Sequence, residues 1–342
     1  MVGIADIARD VGVSMSLVSK VLSGRMGKSS VRPELAQRIH VRSKQLGYVP
    51  NSTARALVKR RQNVIGVFFH QYGQPGSGLV ETVVCAISNA LSKENQSLLL
   101  KFFSTEAEFA ACLETAHRSV MDGVILVGAR LFEGSPAVAR LATRELPVAS
   151  MTTLPLFPGA SSVGIDPVEV GRTAALHLLD AGCRRIVHFR ISPESKRALG
   201  CRQAHEERGV AMDPRLALTT PGYDSDAIPR LVGKLLKAKI PFDGVIATSD
   251  AQAAVVTRLL LDQGLRVPRD VKVIGVDNAP FCPYCSVPLS SVSGQDDERA
   301  ALAVRILLKQ IAGAPAQNRT LPPVVVARES TAVSKTHRKA RT

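Results

Sequence analysis

From Val64 onward the sequence repeats one unit, a short apolar run of strand length followed by a longer amphipathic stretch of helix length. The apolar runs fall at 64–69 (VIGVFF), 97–102 (SLLLKF), 123–127 (GVILV), 147–151, 185–189 (RIVHF), 243–247 and 271–276 (VKVIGV). The helical stretches occupy 79–93, 105–119, 136–144, 168–181, 196–208, 226–238, 250–263 and 296–312. Strands that run parallel must be joined by crossovers, so this alternation predicts parallel sheets with helices on both faces. The long middle loop from Thr152 to Ser162 separates two such sets. Two α/β lobes with a cleft between them are expected, with ligands at the carboxyl ends of the strands.

Residues 1–61 follow a different rule. Ile4, Ile7, Ala8 and Val11 recur at i, i+3, i+4, i+7, one stripe of a helix. Gly12 supplies the permissive backbone of a tight turn, and Ser14 is a good N-cap for a second helix. In that helix Leu17 or Val18 and Val21 or Leu22 face inward, leaving Met15, Ser16, Ser19 and Lys20 outward. This is the pattern of a helix-turn-helix, whose second helix presents its early side chains to base edges in a major groove; an ordinary helical hairpin shares it. Residues 23–30 (SGRMGKSS) form a loop, and Pro33 opens a third helix with Leu35, Ile39 and Leu46 inward, closed by Gly47. Asn51 is placed to cap a fourth short helix ahead of Lys59-Arg60-Arg61.

Charge separates the two parts. Of the formal net charge of +15, residues 1–61 hold +9 and the last twelve residues +4, leaving +2 for the 269 between. A basic head on a nearly neutral body fits a head that docks on phosphate. No apolar run reaches the length of a membrane span, and the first ten residues lack the layout of a signal peptide. The expectation is a cytoplasmic, nucleoid-associated protein without a membrane partner. The six cysteines (85, 112, 183, 201, 282, 285) are scattered through apolar segments and are read as reduced, mostly in the core.

IADIA, GVS, VSKVLSG, GYVPN and ARAL, in this order and spacing, resemble the lac-repressor/galactose-repressor (LacI/GalR) family of bacterial transcription regulators, and the similarity runs over nearly the whole chain. The resemblance implies an N-terminal all-α helix-turn-helix head at 1–50, a hinge helix and linker at 51–61, and an α/β two-lobed body at 62–330, similar to periplasmic binding proteins. The first lobe is expected at about 62–162 and 293–322, the second at about 163–292 and 323–330, with a basic, disordered tail at 331–342. Met15, Ser16 and Lys20 match the family's base-reading positions, and Leu57 matches the hinge leucine that wedges into the minor groove. Ser14, Ser19, Asn51 and Arg55 complete the candidate DNA-contacting set. Two features depart from the family. Lys20 stands where arginine is common, and the 25–30 loop is about three residues longer, so that Arg25 and Lys28 either contact phosphate or are simply solvated.

For the body, the resemblance places effector contacts at Arg197, at Asp250 in ATSDAQA, at Asp277 in VIGVDNAP, and at Tyr223 over the ligand. Ser249 replaces the family's asparagine beside Asp250, and Asp250 itself is also read as a helix N-cap. Carboxylates accept from neighbouring hydroxyls, a guanidinium donates to oxygens, and an aromatic covers an apolar sugar face. The first lobe departs most. Residues 70–78 read HQYGQPGSG, and Thr152 stands where an aspartate is frequent; Gln71, Tyr72 and Thr152 are candidate contacts, or the 70–78 loop is a flexible rim. The implied effector is a sugar or sugar derivative, with a purine left open, and the implied DNA partner is a pseudo-palindromic double-stranded operator. The tail lacks apolar heptads, so a homodimer is expected.

The alternative is a sugar-modifying or redox enzyme with a DNA-anchoring head. Its best support is Cys282-Pro283-Tyr284-Cys285, a C-x-x-C as in thiol redox motifs. Flanking prolines argue against a helix beginning at Cys282, and no second ligand pair at zinc spacing stands nearby. No G-x-S-x-G, H-E-x-x-H or Walker loop is present, and His70, His177 and His188 are isolated. The sequence therefore predicts a regulator with no cofactor, no metal and no catalytic residue.

Overall fold

The computed structural model describes residues 2–23, 31–48, 61–70, 78–114, 120–129, 134–142, 146–222 and 225–332. The chain divides into two units, residues 1–61 and 62–342.

In the first unit, α1 (Ile4–Val11) opens with the Gly3 N–H donating to Asp6 Oδ2 at 2.9 Å and ends at Gly12, whose φ of 72° lies in the left-handed region. That conformation costs glycine nothing and turns the chain at once into α2 (Met15–Ser23). Ser14 caps α2, its Oγ accepting the Leu17 N–H at 3.2 Å. Helix α3 (Pro33–Gln45) begins on Pro33 and closes with Gly47 and Tyr48 donating back to Lys44 and Ser43 carbonyls. Ile7, Ala8, Val18, Val21 and Ile39 form the core of the three helices. Leu17, Leu22, Leu35 and Leu46 pack partly buried around it, so Val18 and Val21 hold the inward positions of α2. Arg42 of α3 donates through Nε and Nη2 to Asp10 Oδ2 of α1, at 2.9 and 2.6 Å.

The second unit carries two six-stranded sheets. The first holds β1 (Val64–His70), β2 (Ser97–Phe103), β3 (Gly123–Val127), β4 (Val148–Ser150), β5 (Ser161–Ile165) and β11 (Asn318–Leu321), in the order β11-β5-β4-β3-β1-β2. The second holds β6 (Ile186–Arg190), β7 (Ala217–Thr219), β8 (Gly244–Ile246), β9 (Lys272–Asp277), β10 (Ser290–Ser293) and β12 (Val324–Val326), in the order β12-β10-β9-β8-β6-β7. Every pairing is parallel except β10 with β12. The chain passes between the sheets three times: after β5, after β10, and between β11 and β12.

Helices cover both faces because the central strands β1, β3, β6 and β8 are buried on both. Helix α4 (Leu79–Lys93) and α11 (Asp296–Ile311) pack on Ile65, Val67 and Phe69, while α5 (Glu106–Glu114) and α6 (Pro136–Ala142) pack on Phe68, Phe103 and Leu126. In the second sheet α7 (Pro167–Asp180) and α8 (Lys196–Glu207) cover Ile186, Ile246 and Ile274. Helices α9 (Ile228–Lys237) and α10 (Asp250–Asp262) cover Val187, Val245 and Val273. Fully burying each such side chain stabilises the fold by about 1.5–3 kcal/mol.

Three expectations need correction. The loop read at 152–162 already contains strand: β5 starts at Ser161 and runs to Ile165, across the lobe break drawn at residue 162. Apolarity gave no warning, because Ser161 and Ser162 are buried with their hydroxyls donating to Gln310 Oε1 and Asn318 Oδ1. Strand β10 is hidden in the same way, as Ser290 bonds to Arg328 and Thr331. Finally, a 3-10 turn does begin at Cys282 despite the flanking prolines, because three residues are too short a turn for them to disrupt.

Residues 51–60 of the hinge and linker expected at 51–61, residues 24–30 of the loop expected at 23–30, residues 115–119 of a predicted helix and the tail beyond residue 332 lie outside the described residues.

Candidate functional site

Ser14, Met15, Ser16, Ser19 and Lys20 are all exposed on one side of α2, opposite the buried Val18 and Val21. Met15, a large apolar side chain, is 59% exposed. A helix docked by Val18 and Val21 and bare on the other side has the form of a reading helix. Asn51, Arg55 and Leu57 lie outside the described residues, as do Gln71, Tyr72 and Tyr223 of the body.

In the body, both sheets wind outward from a pair of neighbouring strands, β1 with β3 and β6 with β8. At such a switch point the crossovers diverge and leave a crevice beyond the carboxyl ends of the strands. Arg197, in the first turn of α8, lies at the crevice of the second sheet. Its Nη1 donates to the Thr248 carbonyl at 2.7 Å, just past β8. It lines two adjoining cavities. One, of about 170 Å³, is shared with Asp277, Asp296, Arg299 and Leu79, so residues from both lobes reach it. The other, of about 280 Å³, lies between the ends of β6 and β8 and helices α7 and α8.

Asp277 ends β9 with φ 106°, and Asn278 follows at φ 56°, both in the region that favours glycine. The strain is held by Asn278, whose N–H donates to Ser291 Oγ at 2.9 Å and whose Oδ1 accepts from Arg328 at 2.7 Å. Strain held by its surroundings at a cavity wall marks a functional site. Burial pushes the Asp277 carboxyl up to about 7, with Asp250 and Asp296 adding to the rise and Arg197 and Arg299 opposing it. Asp296 and Arg299 form a nearly buried ion pair beside it.

Asp250 does not hold the N-cap position that the sequence suggests for it. It is 1% exposed, and Ser249, not Asp250, is the N-cap of α10, accepting the Gln252 N–H at 3.3 Å. A carboxylate one residue into the helix is free to reach sideways. Asp250 Oδ2 accepts the Ala279 N–H at 2.7 Å, and its Oδ1 lies where any Cβ on Gly275 would sit, 2.1 Å away. Burial raises its carboxyl to about 6, against the hydrogen bonds of Ser291, Ala279 and Cys282. Asp250 thus fastens α10 to the turn that carries Asp277. Thr152 is not among the residues lining either cavity. Its hydroxyl lies 2.6 Å from Ser150 Oγ and donates to the Leu154 carbonyl at 2.7 Å.

The redox alternative loses its chemistry here. Cys282 is fully buried, and burial together with the Asp250 carboxylate pushes its thiol above the ordinary range; Cys285 is raised by the same causes. A redox pair needs the opposite shift. All six cysteines are free, and Cys85 is exposed rather than in the core.

Arg299, Asp296 and Arg328 escape a reading of the sequence, since nothing local ties them to Asp277. Residues 3–51 match the family model for bacterial regulatory proteins of the lacI family, and residues 175–331 match that for the periplasmic binding protein-like domain. The chain carries a lacI-family head and a periplasmic binding protein-like body. It is a DNA-binding transcription regulator and not an enzyme. Among lacI-family relatives, it is 27% identical over 341 residues to the HTH-type transcriptional regulator DegA of Bacillus subtilis, covering 96% of this chain and 97% of that one. It is 26% identical over 338 residues to the ribose operon repressor of Halalkalibacterium halodurans, covering 97% of each. The solved complex of the regulator CelR with cellobiose superposes with a TM-score of 0.66 at 25% identity, covering 96% of this chain and all of that one. Among the described residues no helix is long and apolar enough to cross a membrane.

Proposed function

We propose that this lacI-family regulator is a cytoplasmic homodimer that represses a carbohydrate-utilisation operon and responds to a sugar or sugar derivative bound between its lobes. One observation carries the reading: Arg197 and Asp277 line one cavity together with Leu79 of the other lobe. A guanidinium and a carboxylate on a shared wall suit a ligand rich in hydroxyls, which both donate and accept. The printed names of the relatives point the same way, to a ribose operon and to bound cellobiose.

In this reading residues 1–50 form the head, 51–61 the hinge, and 62–330 the effector-binding and dimerising body. Two symmetry-related heads read a pseudo-palindromic operator through Ser14, Met15, Ser16, Ser19 and Lys20, joined by Asn51, Arg55 and the wedge Leu57. Arg197, Asp277, Ser249, Asp250, Tyr223, Gln71, Tyr72 and Thr152 form or support the effector site. Effector closure changes whether the hinge folds, a coupling of about 1–3 kcal/mol between the two sites.

The test is fluorescence anisotropy of the full-length protein on DNA from its own upstream region, with and without sugars, sugar acids, sugar phosphates and purines. One sugar that changes operator affinity five-fold or more supports the reading. A response to purines alone would replace the effector class. DNA binding unchanged by every compound would overturn effector control.

A further inference from the structure

Arg328 lies 50 residues from Asn278 in sequence, yet it holds the backbone beside Asp277. It stands just past β12, half-buried, and three of its donors are spent on the turn after β9 and on the entry to β10. Nη2 donates to Asn278 Oδ1, Nη1 to the Leu289 carbonyl and the backbone N–H to Ser290 Oγ, each at 2.7 Å. A planar guanidinium can serve two acceptors in fixed directions at once, which a lysine ammonium on its flexible stem does poorly.

The turn needs such a hold. Asp277 has φ 106° and Asn278 φ 56°. A Cβ in the left-handed region crowds the neighbouring carbonyl, so even asparagine, which enters it more readily than most residues, relaxes out of it unless held. The Asn278 N–H donates to Ser291 Oγ at 2.9 Å and the Ala279 N–H to Asp250 Oδ2 at 2.7 Å. Those bonds hold amide groups; the Arg328 bond holds the Asn278 side chain.

The same turn meets the first lobe. Asp277 lines the 170 Å³ cavity together with Leu79, and Pro280 Cδ lies 3.3 Å from where a Cβ on Gly78, just before α4, would sit. Arg328 reaches the turn from the strand that leaves the third crossover, and Ser291 from the strand that enters the second. A swing of the lobes about these crossovers is therefore felt at Asn278, and a shift of Asn278 moves Asp277.

We propose that Arg328 is a positioning residue for effector recognition: it holds Asn278 in the left-handed region, fixes the Asp277 carboxyl at the cavity wall, and ties that carboxyl to the third crossover. The role rests on the reading of Asp277 as an effector contact.

The test uses full-length protein without ligand. Hydrogen exchange of the peptide spanning 277–281 is followed by mass spectrometry, with peptides from β8 and α3 reporting general unfolding. The Asp277 carboxyl, which burial holds at about 7, is titrated in [4-¹³C]aspartate-labelled protein, its resonance identified by its loss in Asp277→Asn. Arg328→Gln should speed exchange of the turn about tenfold and weaken the proton affinity of Asp277 about tenfold as the carboxyl moves toward water, with the control peptides unchanged. Asn278→Ala keeps the strained Cβ and loses the acceptor, so it should act alike. Asn278→Gly removes the strain together with the acceptor, so in that background Arg328→Gln should change either readout by no more than about twofold. An unaltered turn and Asp277 titration in Arg328→Gln or Asn278→Ala would overturn the role. So would equal acceleration of the control peptides, or a full Arg328→Gln effect in the Asn278→Gly background. Operator release by a sugar is measured separately on DNA, so a turn held by Arg328 in a protein that answers no sugar would mark the effector reading, and not the hold, as the failure.

Discussion

Asp250 Oδ2 accepts the Ala279 N–H at 2.7 Å, so the first turn of α10 holds the strained turn that follows Asp277. This bond carries an electrostatic cost, because the buried carboxyl titrates at about 6. Below about pH 4 Asp250 is protonated in folded and unfolded chains alike. As pH rises from 4 to about 6, the unfolded chain releases a proton the folded chain keeps, so this contribution to stability falls. Asp250→Asn removes the titration. Relative to the unaltered protein, it should gain about 2–3 kcal/mol between pH 4 and 7.5, less whatever the weaker bond to Ala279 loses. Urea unfolding at pH 4.5, 6 and 7.5 checks this, and a difference that does not grow with pH would refute it.

Arg197 joins α8 to the end of β8 and faces Asp277 across a cavity. Arg197→Ala should reduce sugar affinity at least tenfold and remove the effector response, with operator affinity unchanged. Asp277 accepts hydroxyls best when ionised, and its carboxyl sits at about 7 among Arg197, Asp250, Asp296 and Arg299. Sugar affinity should therefore rise between pH 6 and 8, and Asp277→Asn should flatten that rise. Calorimetric titrations at three pH values decide it.

The two sides of α2 should separate stability from recognition. Val18 is fully buried in the head, so Val18→Ala should destabilise the head by about 1–3 kcal/mol and weaken binding to every DNA sequence. Ser16→Ala and Met15→Ala, on the exposed side, should leave helix content intact and change operator preference. Circular dichroism melting and anisotropy on operator variants give the two readouts. A matching loss of stability in the exposed variants would remove α2 as the reading helix.

Two helical glycines predict opposite signs. A Cβ on Gly200 of α8 would fall 1.8 Å from the Val168 carbonyl of α7, whereas a Cβ on Gly233 of α9 meets nothing within 4 Å. Gly200→Ala should destabilise by several kcal/mol by forcing α7 and α8 apart. Gly233→Ala should stabilise by about 0.5–1 kcal/mol by restricting the unfolded chain. Chemical denaturation of both variants tests the pair; the same sign in both would refute the close α7–α8 contact.

The sequence by itself determined the features whose signals are local. The Ile4–Val11 stripe, Gly12 and Ser14 specify two helices and the turn between them, because each acts within a few residues. Runs such as VIGVFF and GVILV specify buried parallel strands, because burial on both faces demands apolar residues throughout. Only the tertiary structure decided the rest. Strands β5 and β10 rest on buried serines satisfied by Gln310, Asn318, Arg328 and Thr331, 38 to 156 residues away in sequence. Asp250 looked like a cap and a ligand contact, yet its carboxylate is held by a backbone group 29 residues on. His188 acquires a defined tautomer only when His205 and Val210 are folded against it. Periodicity and capping are fixed by neighbours along the chain. Hydrogen-bond satisfaction, pKa and the shape of a cavity are fixed by neighbours in space.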